Sequence, residues 1–362
     1  MVRKSENRQL KIAIEIDMAL SEQLMELAKH ARQADEERAW PAASWKILQT
    51  IGACGWTIPK LYGGEQLGGV DLLERYESLA AACLTSAFLL SQRDAAVRRL
   101  RDHGNENLCR ELLPALAGGE RFATVGLAQL TTSRQHGQPA VTARDQGDVF
   151  IIDGTIPWVT GAGRAEHIVI GAVVEGAGQI LAVLPTDLPG VSISKPLELM
   201  ALEGSITAEV RCNQVRLNRK WLLAGPAERV LQTAKGGAGG LETSCLALGL
   251  AGAAIAELKK EAELRHDLLP DAQRLEKTRQ RLRQEMHKLA GDATLAVAPQ
   301  LLRARVNTLV LQATQATLTA CKGTGFVRDH PAQRWARQAL FFLVWSLPRP
   351  AAEAILDDLA RL

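Results

Sequence analysis

Aromatic side chains are scarce in this chain, at 4%, which argues against a surface on which nucleic-acid bases stack. Charge of one sign is not in excess either. Its 43 Lys and Arg face 40 Asp and Glu, for a net +3. No long run is basic, so the electrostatic footprint of a nucleic-acid binder is missing. The six cysteines (Cys54, Cys83, Cys109, Cys212, Cys245 and Cys321) are scattered, with no CxxC pair and no zinc-type histidine spacing. In a chain of 362 residues this predicts reduced, mostly buried thiols rather than a disulfide scaffold or a metal site. The histidines are dispersed, and His103, His167 and His330 read as packing or surface residues.

Long apolar runs are also lacking. The N-terminal stretch has no signal-length apolar core, and it carries Glu6, Glu15 and Asp17, which a transit peptide avoids. No run of about 18 uncharged apolar residues is seen, so no membrane span is expected. The simplest expectation is a soluble, cytoplasmic protein.

What is present falls into three zones, in keeping with a length prior of two to three domains. Residues 1–119 read as an N-terminal all-α domain. Leu24, Leu27 and Ala28 share a face of a helix over Leu20–Trp40. A second helix is expected over Ala42–Cys54. GWTIPKLYGGEQLGG must be an irregular loop, because Pro59, Gly63, Gly64, Gly68 and Gly69 forbid a long helix. Asp71 is the expected N-cap of a helix through Leu72, Tyr76, Leu79 and Cys83. Helices over Ala95–His103 and Glu106–Leu116 complete the zone, the last stopped by Gly118 and Gly119.

Residues 120–224 change character. FATVGLA, VFIIDG, HIVIGAVV, QILAVLP and AEVRCNQVRL are short β-rich runs punctuated by Gly, Pro and Asp, which predicts a small antiparallel barrel or sandwich. Residues 225–362 are helical again, with helices expected over Leu241–Lys260, Asp271–Leu289, Ala298–Lys322, Pro331–Trp345 and Pro350–Leu362, a natural four- or five-helix bundle. The fold class is therefore α+β, in the unusual order helices, strands, helices. No internal repeat or low-complexity tract is seen.

An ordered set of short motifs spans about residues 40–345: GWTIPKLYGGEQLGG, GNENLCRELLPALAGGE, ARDQGDVFIIDGTIPWVTGAGRAEHIVIGAVV, LMALEGSITAEVRCNQVRL and KGTGFVRDHPAQRWARQA. Each is short and Gly-rich. Their order and spacing together resemble the acyl-CoA dehydrogenase family. The resemblance implies that family's fold, with an N-terminal helical domain, a central small β-barrel and a C-terminal bundle. It also implies FAD as cofactor, an acyl-CoA or related acyl thioester as substrate, a homodimer or homotetramer, and an electron-transfer flavoprotein as a redox partner.

By the same resemblance, Trp158 and Thr160 match the residues that contact the flavin. Leu127, Ala128, Ser133 and Arg134, in LAQLTTSR, occupy the other flavin-facing segment, with Gln129 at its usual glutamate. Arg134 there can offer a phosphate a charge-assisted contact or be a solvated loop residue. Arg265, Thr319 and Gly323 fall where the adenosine half of FAD meets a neighbouring subunit's bundle. Leu268 and Leu269 replace the phenylalanine and glycine that usually follow that arginine.

Dehydrogenation needs a positioned carboxylate to take the α-proton. Most of the family carries it in a C-terminal loop, at a position that falls on Ser346. Isovaleryl-type members place it on a bundle helix instead. GGLETSCLALGLAG puts Glu242 there, with Gly249 seven residues on and apolar Leu241 and Cys245 as neighbours. An ordinary first-turn glutamate favoured by the helix dipole is the competing reading. Thr243 and Glu203 stand where the family usually has arginines. A flavin-dependent oxygenase or oxidase on the same fold, and a non-catalytic oligomeric scaffold, are the alternatives.

Overall fold

In a computed structural model of the chain, the described residues are 18–103, 105–131, 139–233, 240–291, 298–345 and 349–360. Residues 18–29 are helical and lead into α1 (Ala31–Glu36). Then come α2 (Ala42–Thr50), α3 (Gly69–Ala82), α4 (Leu84–Asp102) and α5 (Glu106–Ala117). Asp71 is not the cap of α3. The helix starts earlier, with Gly68 as N-cap, which leaves Asp71 in the first turn, where an acid suits the helix dipole. Helix α4 runs unbroken from Leu84, where the sequence predicted only Ala95–His103.

The Gly-rich loop before α3 is a compact turn rather than slack chain. A Cβ on Gly64 would lie 2.1 Å from the carbonyl oxygen of Ile58, so only glycine fits.

The strands are β1 (Ala123–Gly126), β2 (Val141–Asp145), β3 (Val149–Val159), β4 (His167–Val174), β5 (Gly178–Pro185), β6 (Val191–Ile193), β7 (Ala208–Asn218) and β8 (Leu222–Ala227), with the short helix α6 (Ala128–Thr131) after β1. They form one sheet in the order β6-β7-β3-β2-β4-β5-β8, with β1 added beside β4. The pairing is mixed, not purely antiparallel. Both β1 and β2 run parallel to β4, because β4 passes beyond β2 instead of pairing with its sequence neighbour β3.

After α7 (Val230–Thr233) the bundle comprises α8 (Leu241–Leu264), α9 (Leu269–Gly291), α10 (Ala298–Ala320), the turn α11 (Lys322–Gly325), α12 (Pro331–Phe341) and α13 (Arg349–Ala360). Pro270 begins α9 from inside, at a first-turn position that needs no N–H donor.

Helix α8 is the bundle's axis. By length and composition it is the one described helix apolar enough to cross a membrane, yet 67% of that apolar window is buried inside the protein. It crosses α3 closely at Gly249, where a Cβ would come 2.3 Å from the Glu77 carbonyl oxygen. The Cys245 thiol donates to the Leu73 carbonyl across the same contact, at 2.8 Å.

All six cysteines are buried and free, as expected. Burial pushes the Cys54 and Cys212 thiols up to about 11. Among the described residues no group of His, Cys, Asp or Glu could hold a metal ion.

A buried carboxylate ties the three zones together. Asp35 on α1 accepts from the backbone N–H of Leu202 in the strand region (2.9 Å) and from the Gln338 amide on α12 (2.8 Å), and it ion-pairs with Arg337 (2.8 Å). Trp40, Trp45 and Phe122 pack ring to ring, at 5.1–5.3 Å between centroids, where the N-terminal helices meet the sheet.

Candidate active site

Strand β3, helix α4 and the first turn of α8 converge on a cavity of about 670 Å³, within the range of small-molecule sites. Trp158 reaches it through a local irregularity. Along β3 and β7, Ile156 pairs with Val210 and Val159 with Ala208, so three steps on one strand face two on the other. Pro157 has no N–H to give the ladder, and such a bulge re-aims a side chain. The Trp158 indole is 50% exposed and lines the cavity.

Next to it lies a row of hydroxyls. Ser205 and Thr207 are 2.9 Å apart, and Thr207 lies 3.4 Å from the buried Thr160. Leu127 and Ala128 complete this wall. Gln129 turns its amide back, donating to the carbonyls of Gly126 and Gly171.

Glu242 enters from the N-terminal turn of α8. Its carboxylate folds over Gly240, where a Cβ would sit 2.4 Å from Oε2. Leu241 precedes it and the buried Cys245 follows three residues on, but the carboxylate itself meets a cation. Glu242 Oε1 lies 3.3 Å from a guanidinium nitrogen of Arg98. Burial pulls the Arg98 guanidinium down, yet Glu242, Tyr76 and Asp94 around it outweigh that and raise it overall. No motif signals this partner, which comes from a helix distant in the chain.

Helix α4 supplies a whole face of the cavity. Phe88, Ser91, Gln92, Ala95, Arg98 and Arg99 all line it, at the spacing of one helical stripe. Phe88 packs against Phe341 and Trp345, each at 4.9 Å, and those two rings stack at 5.1 Å. The cavity thus has an aromatic end and an arginine end on one helix.

Of the residues singled out in the sequence, Leu127, Ala128, Trp158, Thr160 and Glu242 line this cavity, together with Thr243. Arg265, Thr319 and Gly323 do not. They gather at another end of the bundle, where Arg265 pairs with Glu261 (2.8 Å) and also donates to the Ala320 carbonyl. Thr319 and Gly323 are exposed there, and a Cβ on Gly323 would meet nothing within 4 Å. Glu203 is engaged by Arg38 at 3.0 Å. Ser133, Arg134 and Ser346 lie outside the described residues. His330 is a capping residue, its ring accepting from the Ala332 N–H.

The helical zone from residue 21 to 120 matches the family model for the acyl-CoA dehydrogenase N-terminal domain. The chain overlays a butyryl-CoA dehydrogenase of Megasphaera elsdenii with a TM-score of 0.81, over 96% of this chain and 98% of that one, at 18% identity. The chain carries an acyl-CoA dehydrogenase N-terminal domain and has the acyl-CoA dehydrogenase fold. A probable acyl-CoA dehydrogenase of Bacillus subtilis (strain 168) is 29% identical over 239 residues, which is 64% of this chain and 62% of that protein. The chain therefore spans about three fifths of the Bacillus protein. The mitochondrial short-chain specific acyl-CoA dehydrogenase of Rattus norvegicus is 22% identical over 87% of this chain and 81% of its own.

Proposed function

We propose that this protein is an FAD-dependent oxidoreductase of the acyl-CoA dehydrogenase family that dehydrogenates an acyl thioester between its α and β carbons, with Glu242 as the α-proton base. One observation carries the reading. The Glu242 carboxylate faces the same cavity as the Trp158 indole and the Thr160 hydroxyl.

The wall fits a flavin. An isoalloxazine asks for a flat apolar face beside hydrogen-bonding groups, and the half-exposed Trp158 next to Thr160, Ser205 and Thr207 supplies both. Leu127 and Ala128 sit where backbone groups can meet its polar edge. When bound, the flavin supplies the two-electron acceptor that the chain lacks. The protein's own residues do the rest. Glu242 takes the α-proton as its C–H bond breaks. Arg98 holds the carboxylate in place and balances its charge while no substrate is bound. The apolar and aromatic lining excludes water from the reacting carbons.

The base position favours the isovaleryl-type arrangement, since Glu242 is a bundle-helix carboxylate already in the cavity. Arg265, Thr319 and Gly323 belong in this reading to the edge that receives a neighbouring subunit's FAD, and Ser133 and Arg134 to the flavin's phosphate side. Exposed Leu264, Phe326 and Val327 near that edge suit a homodimer or homotetramer. An electron-transfer flavoprotein as redox partner, a role in fatty acid metabolism and a cytoplasmic location complete the proposal.

The test is direct. The purified protein should be yellow, and anaerobic mixing with an acyl-CoA panel should bleach the flavin. Bound flavin that no acyl thioester reduces would overturn the dehydrogenase reading, and protein without flavin would overturn the cofactor as well.

A further inference from the structure

The cavity holds more positive charge than its own residues neutralise. Among the described residues three arginines line it, Arg98, Arg99 and Arg337, against the single carboxylate of Glu242. Arg337 is taken up by Asp35 at 2.8 Å and by the Met200 carbonyl, also at 2.8 Å. Arg98 is taken up by Glu242 at 3.3 Å. Arg99 is left over. It donates to the carbonyl of Ala95, one turn back on its own helix, at 3.0 Å. Its Nε is buried without a hydrogen-bond partner, and among the described residues no carboxylate comes within ion-pair distance of it. A guanidinium nitrogen buried without a partner is costly, and on an arginine that faces a cavity it suits an anion. Burial, and then the neighbouring Arg98 charge, bring the Arg99 guanidinium down only to about 10, so it stays protonated at neutral pH.

The anion's place is set by the geometry of α4. Arg99 is adjacent to the residue that holds Glu242, at the far end of the stripe from Phe88 and the Phe341–Trp345 stack. A small charged group on the end of an acyl chain suits a guanidinium that shares its cavity with the candidate base. With its α carbon beside Glu242, such a chain would carry its far end towards Arg99.

Resting on the dehydrogenase reading above, we infer that the substrate is an acyl thioester whose distal end bears a carboxylate, and that Arg99 binds that carboxylate. Arg98 and Arg99 then divide the work between them. The first cancels the charge of the base, and the second cancels the charge of the substrate. Without Arg98, two carboxylates would face each other in one small cavity.

The experiment compares matched pairs of thioesters, succinyl-CoA with butyryl-CoA and adipyl-CoA with hexanoyl-CoA, by anaerobic flavin reduction in the wild-type holoprotein, Arg99→Met and Arg99→Lys. The wild type should favour at least one carboxylated member in kcat/KM by about tenfold or more, the scale of a charge-assisted hydrogen bond. Arg99→Met should lose that preference with its flavin content unchanged, its kcat/KM falling further on the carboxylated than on the neutral thioesters. Arg99→Lys should retain part of the preference, which guards against a methionine variant that merely folds poorly. Equal or better use of the neutral thioesters by the wild type would sink the inference and leave the dehydrogenase reading standing. Loss of flavin from Arg99→Met would also sink it, by assigning Arg99 to the cofactor. Failure of all four thioesters to reduce the flavin would reject the dehydrogenase reading itself, and the inference with it.

Discussion

Glu242 and Arg98, far apart in the sequence, are brought to 3.3 Å, one on the first turn of α8 and the other near the end of α4. Their pairing makes the candidate base a held carboxylate rather than a free one. Replacing Glu242 with Gln keeps the side chain's shape and removes its basicity. Glu242→Gln should therefore keep its flavin and be reduced by substrate about 100-fold more slowly or worse, the scale of a lost general base. Stopped-flow flavin absorbance under anaerobic conditions reads this directly, and an unchanged rate removes Glu242 from the mechanism.

Trp158 stands half-exposed on the cavity wall, a posture that gives a core tryptophan little to do. Trp158→Ala should weaken flavin retention, seen as a lower ratio of flavin to protein absorbance after gel filtration. A fully loaded variant would show that the indole is not part of the cofactor wall.

Beneath the arginine stripe lies a fully buried pair, Arg93 and Asp94, both 0% exposed. Asp94 also accepts from the Tyr76 hydroxyl, and Arg93 donates to the Leu116 carbonyl. Burial, then the nearby Asp94 carboxylate, hold the Tyr76 phenol protonated far above its ordinary range. Asp94→Ala strands the Arg93 charge in the core and should cost about 3–5 kcal/mol in urea unfolding. A loss below about 1 kcal/mol would mean that the guanidinium finds water or another partner.

His167, at the start of β4 and 5.6 Å from the Trp221 ring, has its pKa lowered, first by burial and then by Arg121. The unfolded chain therefore binds a proton there before the folded protein does. Stability is complete above the ordinary value of about 6.5 and falls as pH drops from there towards the lowered value. Melting temperature measured from pH 7.5 down to 5 should decline, and His167→Gln should flatten part of that decline. Parallel curves for the two proteins would rule His167 out as a source.

Gly249 lets α8 and α3 touch backbone to backbone. Gly249→Ala adds one methyl where no space exists and should lower the melting temperature by several degrees despite alanine's better helix propensity. A more stable variant would show that the two helices can part cheaply.

Much of the architecture was legible because it rests on local signals. The order of helices, strands and helices follows from shifts in periodicity and punctuation, and Glu242, Trp158 and Thr160 sit in motifs short enough to read directly. Helix α4 shows where such reading fails. Thirteen of its nineteen residues are buried, so the segment from Leu84 to Asp94 has no polar face and carries no amphipathic period. The arginine end of the site was lost with it, since Arg98 and Arg99 gain meaning only when α8 arrives beside them. The mixed sheet was hidden for a related reason. Whether β4 lies beside β3 or beyond β2 is decided by packing, and alternation along a strand does not record it.

Both ends of the cavity belong to one rigid rod. Phe88 and Arg99 are eleven residues apart on α4, about 16 Å at 1.5 Å per residue. A ligand that spans from Phe88 to Arg99 would be gauged against a helix, not against a loop that can flex to suit. Changing the lengths of the surrounding loops should leave the gauge untouched. Only side chains on the same stripe can reset it. Ala95, midway along and the smallest residue of the row, is where a single bulkier substitution would act as a stop, shortening the measure without disturbing either end.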